Sequence, residues 1–131
     1  MSPLHQLLGI RLVEEHDDGV TMELPVRPEL FNDDGFLHGG ATAALADAAV
    51  GVALKKMLRP GERRTTVELK LNYLRPTSAG VLRARSRFLR RGRTLAVAEV
   101  RIVDSEGELA AAALATYMVL RNTEGPPKSG R

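Results

Sequence analysis

The chain has 131 residues, with 19 Lys and Arg against 16 Asp and Glu, a net charge of +3 and no cysteine. One domain of this length buries a core without cross-links, and the lack of cysteine excludes a disulfide frame and a thiolate metal site. So mild a charge, with two Tyr, three Phe and no Trp, offers neither the field nor the stacking surface that nucleic acids need. His5, His16 and His38 are too scattered to suggest a metal motif. No basic-then-apolar leader opens the chain, and the longest apolar run is broken by Asp47 and closed by Lys55 and Lys56, so a cytoplasmic protein with no membrane partner is expected.

In chain order, Ser2 and Pro3 cap and start a short helix to Leu8, which Gly9 ends. Ile10 to His16 and Val20 to Val26 alternate like strands around an Asp17-Asp18-Gly19 turn. Arg27 to Phe31 turns the chain into a loop from Asn32. From Gly39 to Leu54 nearly every residue is small or apolar all the way round, which marks a buried helix. Arg59-Pro60-Gly61 stops it. Four more strands follow, over Arg63–Leu74, Val81–Arg91, Leu95–Asp104 and Leu109–Leu120, with breaks at Arg75–Gly80, Gly92 and Ser105–Gly107. Residues 1–121 are expected as a single domain, and 122–131, with Gly125, Pro126, Pro127 and Gly130, as a flexible tail. One apolar helix among six strands is buried only if the sheet curls round it, which predicts an α+β fold with a long central helix wrapped by a curved six-stranded antiparallel sheet.

Two features of the helix carry chemistry. Asp47 is the one charge between Gly39 and Leu54, and a lone carboxylate there is costly without partners or a task. It can be a general base, or a hydrogen-bonded group that fixes packing. At the helix start, Gly39 and Gly40 can present unpaired amides to a carbonyl oxygen, or simply form a capped turn.

Asn32-x-x-Gly35-x-x-His38-Gly39-Gly40 followed by Ala44-Leu45-Ala46-Asp47 resembles the PaaI-like, phenylacetate-degradation branch of hotdog-fold acyl-CoA thioesterases. Thr66-Val67-Glu68-Leu69, Asn72-Tyr73-Leu74-Arg75-Pro76, Gly80 and Arg91-Gly92-Arg93-Thr94 extend the likeness over residues 7–120. The resemblance implies that Asp47 acts as base or nucleophile on the thioester and that the Gly39 amide polarises its carbonyl. It further implies that Asn32 orients the water or the carbonyl, that His38 lies near the sulfur, and that Thr66 helps to hold the water. No cofactor is implied, because CoA is part of the substrate.

Asp47 follows Gly39 by eight residues, about 12 Å along a helix axis, too far for one carbonyl to meet both. Antiparallel helices in a two-fold dimer remove the difficulty, and the family's sites do form at a dimer interface. A homodimer, doubled to a homotetramer as in relatives, is therefore expected. For the CoA phosphates, Arg90, Arg91 and Arg93 flank a glycine turn and suit bidentate contacts, whereas Arg83, Arg85 and Arg87 read as a solvated strand face. Leu30, Phe31, Phe36 and Leu37 are candidates for the acyl wall. Two alternatives stand beside a thioesterase: a hotdog hydratase or dehydratase acting on acyl-CoA or acyl-carrier protein, and a non-catalytic acyl-CoA-binding protein.

Overall fold

The computed structural model describes residues 1–121; the expected tail at 122–131 lies outside them. A short helix α1 (Pro3–Leu8) precedes strands β1 (Arg11–His16) and β2 (Gly19–Pro25). The long helix α2 (Gly39–Lys55) comes next. Strands β3 (Glu62–Tyr73), β4 (Val81–Arg91), β5 (Leu95–Val103) and β6 (Leu109–Arg121) complete the chain. All strand pairs are antiparallel, and the sheet runs β1-β2-β4-β5-β6-β3. The expected elements and the wrapped helix are all present.

Alternation decides which faces meet α2. Ala96, Ala98, Val100 and Ile102 of β5 point inward and are fully buried, as are Leu82, Ala84 and Ser86 of β4, while Leu95 faces out. β2 is buried on both faces, because Glu23 on its outer face is covered by Arg11 and Arg83. Arg85 and Arg87 pair with Asp18 and Glu99. The arginine face is solvated as expected, and its side chains also pair with acids on neighbouring segments.

Leu45, Ala46, Ala49, Val50 and Leu54 of α2 lose all contact with solvent. Alanines on this helix let the sheet come close. Inside, Ser86 Oγ on β4 accepts from the Val20 amide at 3.0 Å and donates to the Ala49 carbonyl at 2.7 Å, tying helix to sheet. One side of α2 stays partly open, at Gly40, Ala43, Ala44 and Asp47. β3 is a free edge of the sheet; on it Val67 is 55% and Tyr73 54% exposed. Val67 lies where the pairing with β6 shifts register between Thr66 and Glu68, and a bulge turns side chains off their regular face; Tyr73, past the bulge, still reaches α2 through the Gly39 carbonyl.

Candidate active site

Asp47 lies eight residues after Gly39 on α2, half-buried, against the inner face of β3 and β6. Those two strands place Thr66 directly opposite Tyr117, so their side chains share a face. Both hydroxyls reach the same carboxylate oxygen. Thr66 Oγ1 donates to Asp47 Oδ1 at 2.8 Å, and Tyr117 Oη donates to Oδ1 at 2.8 Å. The Asp47 main-chain oxygen is 3.0 Å from Tyr117 Oη. Oδ1 is therefore fixed, while Oδ2 accepts no hydrogen bond among the described residues. It has room in a cleft of about 300 Å³ whose walls include Ser2, His5, Gly51, Arg64, Thr66 and Tyr117.

Burial, with the Asp47 charge beside it, pushes the Tyr117 phenol well above its ordinary value, so it remains a donor across the physiological range. Gly51 makes the contact possible. A Cβ on Gly51 would sit 2.8 Å from Tyr117 Oη. Arg64 Nε donates to the Gly51 carbonyl at 2.6 Å and closes the other side of the cleft.

The helix start forms a second cluster. His38 is the N-cap, and its Nδ1 accepts from the Gly40 amide at 2.8 Å. This fixes the neutral ring as the Nε2–H tautomer and gives Gly40 the capped-turn alternative, its amide occupied. The Gly39 N–H donates to nothing among the described residues. Tyr73 Oη donates to the Gly39 carbonyl at 2.6 Å, and a Cβ on Gly39 would lie 3.2 Å from that oxygen. Asn32 Oδ1 accepts from the Asp34 and Phe36 amides at 2.9 and 3.1 Å, so its carbonyl shapes the loop and its NH2 stays available. Asn32, Gly39 and Tyr73 border a cleft of about 410 Å³, which Phe36 and Leu37 also line. Leu30 and Phe31 instead line a separate apolar groove with His38 and Ala41.

The sequence-derived residues thus fall into two groups. Asp47 and Thr66 are joined, whereas Asn32, His38 and Gly39 gather at the other cluster; the two clefts share no residue. Tyr117 and Tyr73 were not expected at either place. Arg91 and Arg93 border a third cleft with Arg59 and Arg121, at the end of α2 away from Gly39, and Arg90 stands outside its lining. Among the described residues no three His, Asp or Glu side chains are grouped to hold a metal ion, and no helix is long and apolar enough to cross a membrane.

Known proteins of similar sequence and fold are thioester hydrolases or proteins described with them. A 1,4-dihydroxy-2-naphthoyl-CoA hydrolase of Listeria monocytogenes is 27% identical over 106 residues, covering 81% of this chain and 86% of that protein. The structure of the BH2602 protein of Bacillus halodurans, solved with CoA, superposes with a TM-score of 0.85 at 30% identity, covering 93% of this chain and 81% of the other. A phenylacetic acid degradation-related protein of Ralstonia eutropha gives 0.84 at 28% identity, over 90% and 91% of the two chains. The family model for the thioesterase superfamily matches residues 34–111. By that match and by its hotdog fold, the chain belongs to the thioesterase superfamily, a family of thioester-hydrolysing enzymes.

Proposed function

We propose that the chain is an acyl-CoA thioesterase whose sites are completed by a second copy of itself. The observation that carries this reading is the Asp47 carboxylate, which lines an open cleft and is anchored through Oδ1 by Thr66 and Tyr117, with Oδ2 unbonded among the described residues. An oriented base with one free oxygen suits proton removal from water. Asp47 takes the proton as the water oxygen attacks the thioester carbon. The carbonyl oxygen becomes an oxyanion, for which the Gly39 N–H at the positive end of α2 is the donor. Collapse breaks the C–S bond and the CoA sulfur takes up the proton, leaving a carboxylic acid and CoA. Direct attack by Oδ2, followed by hydrolysis of the resulting anhydride, uses the same groups.

Three features support a dimer. Asp47 and Gly39 are about 12 Å apart along one helix. β3 is an unpaired edge carrying exposed Val67 and Tyr73. Gly40, Ala43, Ala44 and Asp47 form a partly open strip of small residues on α2, against which a like helix packs closely. In the two-fold arrangement Asp47 of one protomer faces Gly39 and Asn32 of the other, while His38 presents Nε2–H towards the sulfur. A doubling of this dimer into a tetramer belongs to the same reading. CoA is the thiol because a structural relative was solved with it. The cleft bordered by Arg59, Arg91, Arg93 and Arg121, about 590 Å³, suits its phosphates, with Arg90 at the margin.

The test is CoA release from a panel of aryl and aliphatic CoA thioesters, with Asp47→Asn as control. A fall of about 10²–10⁴-fold in kcat for the variant is expected. Hydration of an enoyl-CoA without CoA release, or binding without turnover, would overturn the assignment.

A further inference from the structure

The short helix α1 has an unexplained precision. A six-residue helix is marginal by itself, and no residue of α1 is buried. Leu8 alone of its side chains packs on the core, and only in part. Yet it is tied at both ends. Ser2 Oγ caps the His5 amide at 3.2 Å. Gly9 closes the other end in the left-handed region at φ 82, and the Ile10 amide donates to the His5 carbonyl at 2.9 Å. Arg27, beyond β2, donates to the carbonyls of Leu8 and Leu7 at 2.8 and 2.9 Å.

What α1 brings to the body of the protein is His5. Its half-buried ring forms a wall of the Asp47 cleft, together with Ser2, Arg64, Thr66 and Tyr117. Its Nδ1 is buried and bonds to nothing among the described residues. Nε2 also bonds to nothing among the described residues and, unlike Nδ1, is not buried, so a molecule in the cleft meets the ring at Nε2.

We propose that α1 is part of the active site, and that it carries His5 as a positioning residue which holds the attacking water beside the Asp47 carboxylate. This rests on the reading of Asp47 as the base. Asp47 takes the proton; His5 fixes the water's second hydrogen-bonding direction, so that its lone pair points at the thioester carbon. The charged groups facing His5 are Asp47 on α2, Arg64 on β3 and the Met1 amine, with the neutral Tyr117 phenol on β6. Burial holds the ring below its ordinary value; Asp47 opposes that, and the Met1 amine and Arg64 add to it. The ring is neutral at neutral pH. When pH falls through that lowered value the imidazolium pairs with Asp47 and the water loses its holder, so the acid limb of the rate profile reports His5.

The experiment compares wild type, His5→Gln, His5→Ala and Arg27→Gln on one thioester, phenylacetyl-CoA or the best of the panel, with thermal melts alongside. For His5→Gln, a fall of about tenfold in kcat with KM within about twofold is expected. Its acid limb moves to lower pH, because the titrating imidazole is gone. Arg27→Gln keeps His5 but frees α1, and lowers kcat in the same way. An unchanged kcat in His5→Gln overturns the proposal, and so does a fall in kcat with an unmoved acid limb, since lost packing alone gives that pattern. If His5→Ala fails to fold, the glutamine variant decides. Two outcomes are separate: no CoA release by wild type defeats the thioesterase reading, and full activity in Asp47→Asn defeats the role of Asp47 as base; either takes the His5 role with it.

Discussion

At the scale of single residues, the proposed site depends on two hydroxyls that converge on Asp47 Oδ1. Removing either leaves the carboxylate free to rotate. Thr66→Val and Tyr117→Phe are each expected to lower kcat by about tenfold, with KM little changed, in steady-state CoA release. Because both act through the same oxygen, the double variant should lose less than the product of the single losses. Tyr117 also makes a pH prediction. Its folded value is raised, so the neutral phenol stabilises the fold fully below about pH 10, and that stability is lost as pH climbs towards the raised folded value. Melting curves from pH 9 upward should fall for wild type and flatten for Tyr117→Phe. Asp47 was legible from the sequence because a single charge inside an apolar helix stands out. Tyr117 was not: in the run Ala111 to Leu120 an aromatic is an ordinary strand residue. Its partner lies 70 positions away. The sequence left the Gly40 amide open between a free donor and a capped turn, because the cap that occupies it depends on the rotamer of His38.

At the scale of elements, register does what local pattern cannot. The β3–β6 pairing sets Thr66 against Tyr117, and one turn of α2 sets Gly51 beneath Tyr117 while Asp47 sits beside it. Gly51→Ala sets two effects against each other. Alanine favours the helix by about 1 kcal/mol, but its Cβ would sit 2.8 Å from Tyr117 Oη, which must then withdraw from Asp47. The clash should win on activity: a loss of about tenfold in kcat is expected, even where the melting temperature changes little. Ser86 tests the other junction. It is 1% exposed, and Ser86→Ala leaves the Val20 amide and the Ala49 carbonyl without their partner, at a cost of about 1–3 kcal/mol in denaturant unfolding. The six strands and α2 could be read in advance because alternation and an unbroken apolar run are local signals. The bulge at Val67 and the double burial of β2 could not, as each depends on which strand lies alongside.

At the scale of the whole molecule, the proposed reaction needs two groups that one chain keeps apart. Asp47, Thr66 and Tyr117 line one cleft and Asn32 and Gly39 another, with no residue in common. The eight-residue spacing made this separation legible from the sequence, because the helix rise is fixed. Which surface would meet the partner was less so: it follows from β3 being an edge, and edges emerge only from the strand order. Subunit complementation tests the division directly. Asp47→Asn and Asn32→Ala are each expected to be nearly inactive alone, and Asn32 is exposed enough to change without disturbing the core. When the two are co-expressed with different tags, a mixed dimer with sites built across the interface has one site carrying both defects and one carrying neither. Random pairing then restores about a quarter of the wild-type sites, and the doubly tagged fraction should hold all of that activity. If each chain instead contained its own complete site, both sites of the mixed dimer would be defective, and no activity would return.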